Sequence, residues 1–86
     1  MHAVVVTVDI VDPDAARQGL DDVVAMVRQA PGFLAGYWVR VDDAHGTSVV
    51  VFESEERARA AAPPADGGAP GVKMTSVAVG EVLASA

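Results

Sequence analysis

The sequence predicts an α+β domain in the order strand, helix, strand, strand, helix, strand, and three observations predict it. Four stretches are rich in β-branched residues or alternate apolar with mixed positions, the pattern of strands covered on one side. Two stretches between them open on helix-capping residues, Asp12-Pro13 and Ser54-Glu55-Glu56. Gly and Pro punctuate the breaks at Pro31-Gly32, at Pro63-Pro64 and in the run ADGGAPG over 65–71.

The first strand, His2 to Ile10, sets Val4, Val6, Val8 and Ile10 on one apolar face and Ala3, Val5, Thr7 and Asp9 on a mixed one. A sheet with helices on one side and something wetter on the other requires this division. Asp12 can accept the orphan amides of a first helical turn, Pro13 loses nothing at the first helical position, and Asp14 favours the positive end. Ala16, Leu20, Val23, Val24 and Val27 then form a stripe along a helix that runs to about residue 30, where Pro31 and Gly32 turn the chain. Gly19 weakens that helix by roughly 1 kcal/mol relative to alanine, which points to close approach of a neighbouring backbone.

Over 33–42, Phe33, Ala35, Tyr37, Val39 and Val41 alternate with Leu34, Gly36, Trp38, Arg40 and Asp42, and the second set has the character of a pocket wall. Asp42, Asp43, Ala44, His45 and Gly46 form a polar loop into an antiparallel strand over 47–53. Ser54 caps a short helix through Ala62, with Glu55 and Glu56 in its first turn. The run over 65–71 lacks the Lys-Ser/Thr pair of a phosphate loop and reads as a linker. A last strand over 72–83 places Val77, Val79 and Leu83 on one side and Met74, Ala78 and Val82 on the other, with a bulge or close contact expected at Gly80. This is the ferredoxin-like split βαβ pattern, a four-stranded antiparallel sheet with both helices on one face, in a single domain over residues 1–86. The face without helices carries Val5, Thr7, Val49 and Val51 and is more apolar than monomers usually leave bare, so a second copy of the chain is its expected cover.

Composition narrows the partners. The net charge is −6, and Arg17, Arg28, Arg40, Arg57, Arg59 and Lys73 are scattered, so nucleic acid is not an expected partner. The absence of cysteine removes disulfides and thiolate chemistry and suits a reducing, cytoplasmic setting. MHAVVVTVDIVD has neither the basic region of a signal peptide nor the apolar length of a membrane span, and no membrane partner is expected. His2 and His45 stand far apart among scattered carboxylates, without metal-ligand spacing, and no serine has a nucleophile-elbow context. Neither a metal nor a cofactor is expected.

PGFLAGYWVR followed by SVVVFESEERARAAA resembles the antibiotic biosynthesis monooxygenase-like family of the dimeric α+β barrel superfamily. In that family a Pro-Gly-Phe turn feeds the second strand, and an acidic segment after the third strand starts the second helix. The resemblance implies a homodimer whose sheets face each other, with a pocket between each sheet and its own helices or within the barrel. It also implies a small aromatic or phenolic ligand, which some members oxidise with dioxygen and no cofactor, while others degrade haem. The chain departs from both activities: it contains no Asn to orient substrate, and EERARAAA lacks the His that serves as a haem ligand.

The candidate ligand-binding residues are Trp38, Arg40, Thr7 and Asp9. Trp38 and Arg40 lie two apart on one strand, where an apolar ring and a planar cation could clamp an anionic or phenolic ring. The competing reading has Trp38 filling a dimer core and Arg40 pairing with an acid at its rim. Tyr37 points the other way, as a core residue whose hydroxyl reaches the surface. Cofactor-free oxygenation needs a base near neutrality, for which His2, His45 and Asp9 are the candidates, although terminal, loop and surface positions are the ordinary readings of all three. No residue is assigned a catalytic role, and a non-catalytic ligand-binding or structural dimer module is the alternative function.

Overall fold

A computed structural model describes residues 1–63 and 71–86 of the chain. Its elements follow the predicted order: β1 (His2–Ile10), α1 (Pro13–Arg28), β2 (Phe33–Arg40), β3 (His45–Phe52), α2 (Glu55–Ala61) and β4 (Val72–Glu81). The strands form one sheet in the order β2-β3-β1-β4, and every neighbouring pair is antiparallel. This is the ferredoxin-like arrangement, with the two longest-range pairings made by the β-branched first strand. The linker predicted over 65–71 lies, apart from Gly71, outside the described residues.

Local chemistry sets the boundaries. Asp12 caps α1 by accepting the Ala15 amide at 3.2 Å, and Ser54 caps α2 by accepting the Arg57 amide at 3.2 Å. α1 stops at Arg28, two residues before the predicted end, because the Gln29 amide turns back to the Met26 carbonyl and the Ala30 amide to that of Val27. Gly32, at φ 82°, then takes the left-handed conformation that the reversal into β2 demands. β3 starts two residues earlier than predicted, at His45, because the Asp42 carboxylate accepts the Ala44 amide at 2.8 Å and tightens the hairpin. Gly71, at φ 78°, holds β4 against the start of α1, where its carbonyl accepts the amides of Val11 and Asp12.

Two register shifts revise the predicted faces. One lies between Phe33 and Ala35, so that Phe33 opposes Phe52 and the two rings meet edge to face at 6.3 Å. The strict alternation had put Phe33 on the Ala35 face. The other lies opposite Thr7 and Val8, where Thr75 is passed over and its hydroxyl bonds the Thr7 carbonyl at 3.0 Å. Met74 therefore joins Val77 and Val79 on the helix side. The bulge expected at Gly80 is instead regular pairing with Ala3, and β4 ends at Glu81.

The core lies between the sheet and α2. Val4, Val6, Val50, Phe52 and Ala58 are buried in one cluster, with Phe52 and Ala58 fully enclosed. The small Ala58 lets α2 approach the strands closely. α1 is different: its apolar stripe faces the sheet, yet it has no buried residue.

Candidate functional site

Beneath α1 is a cavity of about 620 Å³, and the even-numbered face of β1 forms its floor. Val4, Val6, Val8 and Ile10 run along that floor, flanked by Val50 and Phe52 from β3 and by Val72 and Met74 from β4. The roof is the α1 stripe, with Ala16, Leu20, Val23 and Val27 lining it together with the largely exposed Met26; Val24, predicted on the stripe, is half-buried but lies outside the lining. Gly19 also lines the space. An apolar cavity of this volume with a few polar groups has the proportions of a small-molecule site.

Trp38 and Arg40 both line it. Trp38 opposes Ser48 across the β2–β3 ladder, and Ser48 opposes Val6, which fixes the indole on the helix side. The ring lies back over Gly36, where an added Cβ would sit 2.9 Å from two indole carbons. Glycine at 36 is thus what lets the indole lie flat as one wall. Arg40 is half-exposed at the end of β2; its Nη2 donates to Asp43 Oδ1 at 3.3 Å and its Nε to the Asp42 carbonyl at 3.3 Å.

The four predicted ligand-binding residues do not converge. Thr7 opposes Thr47 and Asp9 opposes His45, both on the face without helices, away from Trp38 and Arg40. The first strand contributes to the cavity through its apolar positions, not its mixed ones. Tyr37, predicted to be a core residue, opposes Val49 on that same bare face and is 64% exposed.

The candidate bases are also clear of the cavity. His2 is the first residue of β1, with a buried and unpartnered Nδ1 and with Nε2 3.7 Å from Glu55. His45 and Asp9 are brought together at the edge of the bare face, Nε2 to Oδ1 at 3.6 Å, while Nδ1 of the ring meets Asp42 at 2.8 Å. Hydrogen bonding and attraction from Asp42 hold the imidazole above its ordinary pKa. The Ala44 amide and then His45 hold Asp42 below the usual carboxylate range. This is an exposed hairpin clamp rather than a buried base.

Three polar residues of the lining, Arg17, Thr47 and Ser48, were not among the predicted site residues. Ser48 is the polar interruption of an otherwise apolar alternation in β3. Arg17 follows Ala16 and precedes Leu20 by three residues, so helical spacing places it on the border of the stripe. Among the described residues no group of three or more His, Asp or Glu side chains could hold a metal, and no helix is long and apolar enough to cross a membrane. No family model, curated protein or solved structure matches this chain.

Proposed function

We propose that this chain is a small cytoplasmic domain that binds an aromatic or phenolic molecule between α1 and the sheet, on a plan similar to the cofactor-free antibiotic biosynthesis monooxygenases, and that it works as a homodimer. The observation that carries the reading is the apolar cavity of about 620 Å³ walled by the Trp38 indole. A flat ring facing aliphatic side chains accepts a planar aromatic by offset stacking and dispersion, with little cost in ordering. Oxidising a phenol there would require a group to take its proton. Among the described lining residues no carboxylate or imidazole is present, so binding, rather than turnover, is the part of the family's behaviour these side chains support.

Dimerisation belongs to the same proposal and has its own support. The bare face of the sheet carries Ala35, Tyr37, Val39, Val5, Val49 and Val51 side by side, with Val39 50% exposed. Trp38 is the only tryptophan of the chain, which makes the binding test direct. Titration with 2-naphthol is expected to change its fluorescence saturably, and Trp38→Ala, read by calorimetry, is expected to weaken binding by about tenfold, the weight of one stacking partner. A linear, unsaturable response of the wild type would overturn the reading.

A further inference from the structure

The cavity is polarised from end to end. Arg40 and Gly46 oppose each other across β2 and β3, Gly46 opposes Val8, and Val8 opposes Met74, so these residues form one row across the sheet. Arg17 lies in the opening turns of α1, which starts at Pro13 just beyond the end of β1, and so reaches the cavity at this end. At the other end the lining among the described residues is Val4, Phe52, Val27, Ala30, Ala61 and Pro63, without a polar side chain. Two of the six cations of an acidic chain therefore line one apolar cavity at the same end.

Arg17 is the informative one. Asp14 and Asp21 stand three and four residues away on the same helix, the spacings at which surface ion pairs form. The ion pairs among the described residues nonetheless join His2 to Glu55, Arg40 to Asp43, His45 to Asp9 and Asp42, and Arg59 to Glu55, and none includes Arg17. Arg17 is exposed at the border of the cavity, and among the described residues no carboxylate competes for its guanidinium. Arg40 is pre-positioned by its bonds to Asp43 and to the Asp42 carbonyl, which occupy Nη2 and Nε.

We infer that the ligand is a monoanion with an apolar body, bound lengthwise, its carboxylate or phenolate at the Arg17 and Arg40 end and its body toward Phe52 and Ala30. Arg17 and Arg40 are then specificity-determining residues, since planar guanidinium donors match an anionic oxygen and are left poorly matched by a neutral group. The inference rests on the proposed binding cavity and adds the charge and orientation of what it holds.

The test compares 2-naphthoate with 2-naphthamide, which share a ring system and differ in charge, by calorimetry on the intact chain. Wild type is expected to favour the anion by about tenfold at low salt. Arg17→Gln and Arg40→Gln are each expected to shrink that ratio about threefold or more, weakening the anion more than the amide. Arg28→Gln, in the last turn of the same helix, is expected to leave the ratio alone. Equal affinity for the two ligands in wild type, or a ratio untouched by Arg17→Gln, overturns the inference while the cavity reading survives. Absence of binding by both overturns the two together.

Discussion

His45 shows how a single side chain stabilises a hairpin without being buried. Its ring bridges Asp42 at 2.8 Å and Asp9 at 3.6 Å, and Asp42 in turn accepts the Ala44 amide. The other charges near it are Lys73, which opposes Asp9 on β4, and the Arg40 and Asp43 pair on the hairpin. Because the folded imidazole titrates above its ordinary value, its contribution is complete below the unfolded pKa and is lost as pH rises through the folded one. Asp42 titrates below its ordinary value, so its contribution is present above the unfolded pKa and is lost as pH falls through the depressed one. The clamp is fully engaged between the ordinary carboxylate and imidazole ranges, roughly pH 4 to 6. Urea midpoints of wild type and His45→Gln are expected to differ most in that window and to converge as pH rises through the raised imidazole range, with the gap narrowed by salt. A gap that widened toward alkaline pH would contradict the clamp.

At the scale of elements, the caps and the bulges behave oppositely with respect to sequence. Asp12 and Ser54 are legible because capping is local chemistry between residues three apart, and both appear where predicted. The shifts at Leu34 and Thr75 are not legible, because each is decided by which partner strand the residue meets. They matter for the site: the first gathers Phe33 onto the Trp38 side, and the second turns Met74 into cavity lining. The pairing of Trp38 with Arg40 follows from strand periodicity alone, whereas assigning Thr7 and Asp9 to the same pocket needed the register that only the sheet supplies. Arg17 was hidden by its type, since an arginine bordering a helical stripe usually faces water. Asp12→Ala is expected to lower unfolding free energy by about 1 kcal/mol and to speed amide exchange in the first turn of α1. Exchange unchanged there would mean that the tether at Gly71, rather than the cap, holds the roof of the cavity in place.

For the whole molecule, the two faces of the sheet pose one question in two forms. On the helix side, α2 closes the core with Ala58 fully buried, while α1 leaves space that a ligand could fill. On the other side no element of the chain covers the strands among the described residues, and Tyr37 and Val39 remain largely exposed. A chain of this length buries only about 60 to 65% of its unfolded surface, so burying a further set of valines, each contributing roughly 1.5 kcal/mol or more, weighs heavily in its stability. Val49 is the natural probe, because it opposes Val5 on one side and Tyr37 on the other at the middle of that face. Sedimentation of wild type at micromolar concentration is expected to give the mass of two chains, and Val49→Lys the mass of one, since a pair of facing ammonium groups could not be desolvated together. Circular dichroism of the variant separates loss of association from loss of fold. A wild type that sediments as one chain, with a midpoint of unfolding independent of its concentration, would show that the bare face needs no partner.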